Sequence, residues 1–119
     1  MSNVESGRHF EDLAEAFLRD HGWRVLDRNV RLMRNEIDLV VEKGGLVAFV
    51  EVKGRRGTTF GHPLEAITWR KRRAISQAAR LWIARSGIRA RCYRFDAVAV
   101  RPDAAGTVDI EHVEGAWVE

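Results

Sequence analysis

The chain has 119 residues, 45% of them hydrophobic, with four histidines, one cysteine and a net charge of +3. That size and apolar content predict one globular α/β domain over residues 1–119 and exclude wholesale disorder. No apolar run approaches the roughly 20 residues of a membrane helix, and no signal peptide precedes the first polar helix, so the expectation is a cytoplasmic protein with no membrane partner.

In chain order, Phe10, Leu13, Ala14, Phe17 and Leu18 repeat at helical spacing and predict a first helix with one apolar face. Asn3 or Ser6 is the candidate cap, and Gly22 is the expected left-handed stop. Glu11 lies beside the apolar stripe, where an exposed helix charge is the plain reading. Trp23–Val30 follows as a strand.

Asn35–Lys53 reads N-E-I-D-L-V-V-E-K-G-G-L-V-A-F-V-E-V-K, two apolar runs around a Lys-Gly-Gly turn. The pattern predicts a hairpin with strands near Glu36–Glu42 and Leu46–Lys53. Glu36, Asp38 and Val40 are expected on one face of the first strand, and Val47, Phe49, Glu51 and Lys53 on one face of the second. Leu46–Val50 is apolar on both faces, as a central covered strand is. Charges that end such a strand are costly unless they are paired or bind a metal.

Gly54–Pro63 is a predicted loop carrying Arg55 and Arg56. A long helix opens at Thr68 or at the Pro63-Leu64 corner and runs to about Arg85, stopped by Gly87. Ile75, Ala78, Ala79 and Trp82 form its buried stripe, and Arg70, Arg73, Gln77 and Arg80 form a polar basic face. Tyr93–Val100 and Val108–Val113 read as two more strands around a turn at 102–106. The order α-β-β-β-α-β-β implies a mixed central sheet flanked by helices.

Charge is concentrated within this plan. Gly54–Arg94 holds eleven Lys or Arg and the single acid Glu65, whereas the other residues carry an excess of acid. Such a block resembles a polyanion-binding surface, and a solvated basic helix has the same composition. Asp38 and Glu51 on adjacent strands are hard oxygen donors that suit Mg²⁺ or Mn²⁺. Lys53, on the face of Glu51, is placed to orient a water or neutralise a phosphate. Arg55, Arg56, Arg70, Lys71, Arg73 and Arg80 would then hold a nucleic-acid backbone. The competing structural reading is a Glu51–Lys53 surface pair with Asp38 as a solvated acid.

Of the smaller signals, Trp69 and Trp82 could stack on bases, with core packing favoured for Trp82. Arg94-Phe95-Asp96 reads as strand packing and an ion pair. His9, His21, His62 and His112 show no ligand spacing, and Cys92 is expected to be buried or half-buried.

The blocks G-R-H-F-E-D-L-A from Gly7, N-E-I-D-L-V from Asn35, F-V-E-V-K-G-R from Phe49, F-G-H-P-L-E-A from Phe60 and R-F-D from Arg94 resemble, in order and spacing, the YraN-like family. These small, largely uncharacterised bacterial proteins are placed in the restriction-endonuclease-like, PD-(D/E)XK, superfamily beside archaeal Holliday-junction resolvases. The resemblance implies an αβββαβ core, Asp38 and Glu51 as metal ligands, Lys53 as the catalytic lysine and Glu11 as an additional catalytic acid. By analogy it also implies a homodimer. The family usually has Gly in place of Phe10 and of Asn35. Asn35 reads as a mild change because Asn tolerates positive φ, and Phe10 either narrows the site or joins the core.

Two functional expectations follow. The first is a Mg²⁺- or Mn²⁺-dependent endonuclease-like protein acting on DNA, including branched or structured DNA. The second is a non-catalytic nucleic-acid-binding module with a vestigial nuclease site.

Overall fold

The elements are α1 (Asn3–Asp20), β1 (Arg24–Leu32), β2 (Asn35–Lys43), β3 (Leu46–Gly54), α2 (Trp69–Ser86), β4 (Cys92–Pro102) and β5 (Val108–Trp117). The computed structural model describes residues 3–54 and 67–118, with backbone alone over 3–7. The strands form one sheet in the order β1-β2-β3-β4-β5. Neighbours are antiparallel except β3 and β4, which run parallel and are joined through α2. This is the mixed αβββαβ core expected from the sequence.

Local chemistry sets the register. Gly44 and Gly45 have φ of 57° and 84°, the paired positive values of a two-residue turn that matches strand twist. They put Lys43 opposite Leu46 and pair β2 with β3 back to Leu39 opposite Val50. Thr68 caps α2 by accepting from Lys71 N–H, and Gly87 ends it at φ 70°. Ser6 lies within α1 and is therefore not its cap.

Alternation along the central strands divides the core in two. Val40, Val47 and Phe49 pack with Ile75, Ala78 and Trp82 of α2. Leu39, Val41, Ala48 and Val50 pack with Phe10, Ala14 and Leu18 of α1. Each face of the sheet thus has one helix.

Three expectations need correction. Cys92 is exposed, because it starts β4 ahead of the stretch that the helices cover. Asn35 has no positive φ; Asn29 and Met33 carry that conformation, at 52° and 60°. β5 continues past Val113 to Trp117, because a turn to positive φ at Gly115 interrupts the apolar pattern without ending the strand.

Phe10 joins the core and does so over Gly54. A Cβ on Gly54 would overlap Cγ, Cδ2 and Cε2 of the Phe10 ring. Gly54→Ala is therefore expected to cost about 1–3 kcal/mol through overpacking. The loss should disappear in a Phe10→Ala background in a double-mutant cycle read by urea unfolding. Equal costs in both backgrounds would refute the contact.

Candidate metal centre and basic helix

The sheet forks at Asp38. The β2–β3 ladder ends at Leu39–Val50, while β1 stays paired to β2 through Asn35 and β3 stays paired to β4 through Gly54. In the gap, Val52 N–H donates to Asp38 Oδ2 at 2.8 Å, so a side-chain carboxylate replaces a main-chain acceptor. A backbone irregularity accompanies the fork. Ile37 and Val40, three residues apart, both belong to the α2 layer, while Leu39 belongs to the α1 layer. Strict alternation thus fails around Asp38, opposite Asn29 with its positive φ.

Three carboxylates meet at this fork, and a fourth, Glu51, adjoins Asp38. Glu11 from α1, Glu36 and Asp38 each offer an oxygen, and the three atoms lie within 4.8 Å of one another. Glu51 is 3% exposed and within hydrogen-bonding reach of Asp38. Lys53 Nζ and Lys71 Nζ lie 3.4 and 3.7 Å from Glu51 Oε1. Glu51 Oε2 is buried and has no hydrogen-bond partner among the described residues.

The electrostatics follow from that crowding. Burial, then the charge of Asp38, pushes Glu51 up to about 7, although Lys71 and Lys53 oppose the shift. Burial also raises Asp38 against the Val52 hydrogen bond and Lys71. Glu11 is raised by burial and by Asp38, with Asn29 and Arg28 pulling the other way. A buried oxygen without a donor, among acids that resist ionisation, is satisfied by a proton or a cation. The all-oxygen donor set fits Mg²⁺ or Mn²⁺.

The residues named from the sequence therefore separate into groups. Glu11, Asp38, Glu51 and Lys53 come together, and Lys71 joins them instead of the outer basic face. Arg70, Arg73 and Arg80 lie exposed along α2. Arg55 and Arg56 lie outside the described residues. Three contributors were missed. By sequence Glu36 shares only the strand face of Asp38, yet it completes the acidic group. Asn29 hydrogen-bonds Glu11 from its left-handed backbone position, and Arg28 lies 3.7 Å from Glu11 while also reaching Asp12 and Glu15. The one available signal was the polar Arg28-Asn29 pair within an otherwise alternating strand.

Fold and site together define a small mixed-sheet α/β protein with an acidic centre at a split sheet and a basic helix beside it. The family model described as "Uncharacterised protein family UPF0102" matches residues 10–100, and the chain belongs to that family, the YraN-like one. A UPF0102 protein of Chloroherpeton thalassium is 44% identical over 99 residues, 83% of this chain and 77% of its own. One from Rhodococcus jostii is 41% identical over 115 residues, covering 97% of this chain and 98% of its own. A third, from Chlorobium chlorochromatii, is 40% identical over 124 residues, covering 99% and 95%. Among the described residues, no helix is long and apolar enough to cross a membrane.

Proposed function

We propose that this chain is a Mg²⁺- or Mn²⁺-dependent endonuclease-like protein that binds DNA and hydrolyses its phosphodiester bonds, including those of branched or structured DNA. The observation that carries the reading is the fork itself. Asp38 and Glu51 are brought together, one Glu51 oxygen is without a donor among the described residues, and two lysines sit on the other. Asp38 and Glu51 would hold the cation, with Glu11 and Glu36 within reach of Asp38. When bound, that ion supplies Lewis-acid stabilisation of charge on the phosphate and makes water a better nucleophile.

The protein's own groups do the positioning. Lys53, 30% exposed in its side chain, presents N–H donors to a water or a phosphate oxygen from the Glu51 face. Lys71 holds Glu51 from the first turn of α2. Arg70, Arg73 and Arg80 form a sequence-independent backbone contact along α2, extended in sequence by Arg55 and Arg56. Hydrolysis forms a bond from water oxygen to phosphorus and breaks the bond from phosphorus to the leaving oxygen. A cytoplasmic location and a homodimer complete the reading, the latter by analogy with junction-cutting relatives in the superfamily.

Purified protein incubated with duplex, nicked, flap and four-way DNA in Mn²⁺ tests it. Cleavage is expected, and Asp38→Ala or Lys53→Ala should lower it by about 100-fold or more. Unchanged cleavage in those variants would sink the assignment. Salt-sensitive binding that survives Asp38→Ala without turnover would instead identify the non-catalytic binding module.

A further inference from the structure

Beside the acidic fork, Trp69, Arg73, Ser76, Gln77 and Arg80 line a cleft along α2 of about 210 Å³. That is several times the roughly 30 Å³ share of a water molecule in the liquid. Its chemistry differs from that of a basic helix face alone. Trp69 is 66% exposed, whereas Trp23, Trp82 and Trp117 are all buried. A tryptophan left this open has a large apolar ring with no core to fill. Arg73 stacks over that ring at 4.9 Å from its centroid, which fixes the indole's orientation and leaves a cation beside it.

The floor of the cleft is polar. Ser76 is 5% exposed, and its hydroxyl has no hydrogen-bond partner among the described residues. A buried hydroxyl without a partner is costly, and a ligand's polar edge would relieve it. Gln77 accepts from Asn35 Nδ2 at a long 3.4 Å, and among the described residues its own amide N–H groups have no acceptor. Asn35 is followed directly by Glu36 of the acidic group, so the cleft adjoins the fork.

We infer that this cleft holds one unpaired base of a nucleic-acid strand, stacked on Trp69 and hydrogen-bonded by Ser76 and Gln77, with Arg73 and Arg80 on the flanking phosphates. An unpaired base offers an open π face and its Watson–Crick edge, both of which a duplex conceals. The inference deepens the nucleic-acid half of the proposed function and makes single-stranded or locally opened strands the preferred ligand. It does not depend on the cation or on cleavage.

The test uses the full chain in EDTA at fixed salt, with a labelled 12-nucleotide single strand, its blunt duplex and the same strand with abasic residues. Fluorescence anisotropy reads affinity, and tryptophan emission reports on the one indole open to solvent. The intact strand should quench that emission and bind better than the duplex. Trp69→Ala should weaken strand binding about tenfold and leave duplex binding unchanged. Trp69→Phe should retain most of the affinity, and wild type should bind the abasic strand about as weakly as Trp69→Ala binds the intact one. Ser76→Ala should not lower Tm, because it removes an unsatisfied hydroxyl, yet it should weaken strand binding several-fold.

Equal binding of abasic and intact strands would overturn the inference, as would parallel losses for strand and duplex in Trp69→Ala. Binding of an acidic protein but of no strand would overturn it too. Retained cleavage without dependence on Trp69 defeats the cleft alone. Dependence on Trp69 without any cleavage defeats the hydrolytic reading alone.

Discussion

Asp96→Ala is expected to destabilise the fold by about 3–5 kcal/mol, the range for removing one partner from a buried charged pair. That is a large share of the 5–15 kcal/mol typical of a domain. Asp96 is fully buried in β4 at the point where the β4–β5 register shifts between Phe95 and Ala97. Its Oδ1 accepts from Arg94 Nε at 2.7 Å and from Gly115 N–H at 3.0 Å. Its Oδ2 accepts from Arg94 Nη2 at 2.9 Å and lies 2.7 Å from His112 Nε2. Truncation would strand all of these donors at a bulge. Burial alone would push the Asp96 carboxyl up, but His112, Arg94 and Gly115 hold it below its ordinary value of 3.8. This stabilisation is present above about pH 4 and is lost as pH falls through the depressed native value. Urea unfolding at pH 7 measures the cost, and a loss under about 1 kcal/mol would show that the cluster does not hold the bulge.

That cluster shows what the sequence could and could not convey. Arg94-Phe95-Asp96 was legible as strand packing and an ion pair, because residues i and i+2 share a strand face. The partners His112 and Gly115 were not, since a register shift between two strands leaves no local signature. The same contrast runs through the fold. Periodicity, the Gly44-Gly45 turn and the Thr68 and Gly87 caps lie within a few residues of one another, so they could be read locally.

The centre was partly legible for the same reason. Asp38, Glu51 and Lys53 lie on one hairpin, whereas Glu11 was drawn in only through family resemblance. Glu36 was seen on the face of Asp38, but its place in the acidic group depends on α1 packing over the fork. Asn29 depends on a left-handed residue inside a strand, and Asn at that φ carries little penalty and hence little signal. By sequence Lys71 is one of a run of basic residues on α2. Yet it turns toward the sheet, because it sits two residues from exposed Trp69, about half a helical turn around.

Glu51→Gln should leave the protein more stable than wild type at pH 8 in the absence of metal, and should abolish its response to Mn²⁺. Glu51 is raised from 4.5 to about 7, chiefly by burial and then by Asp38. The folded state therefore holds a proton that the unfolded state has released, and stability falls as pH rises from about 4.5 to 7. Below that window both states are protonated and nothing is lost. Above it both are ionised and the full penalty applies. At 1.36 kcal/mol per pH unit the penalty is on the order of 3 kcal/mol, roughly 10 °C in Tm for a chain of this size. Asp38 and Glu11 shift in the same direction and add to it. Mn²⁺ should recover the loss at pH 8, and its binding should strengthen as pH rises through 7, because a proton must leave before the ion can bind. Glu51→Gln removes the Glu51 share of the pH dependence, leaving only the shallower slope of Asp38 and Glu11 between pH 5 and 8, and leaves no Tm shift with Mn²⁺. Thermal melts at pH 5 and 8, with and without Mn²⁺, decide the matter. A variant less stable than wild type at pH 8, or one that Mn²⁺ stabilises as much as wild type, would show that the buried carboxyl serves the fold and not a cation.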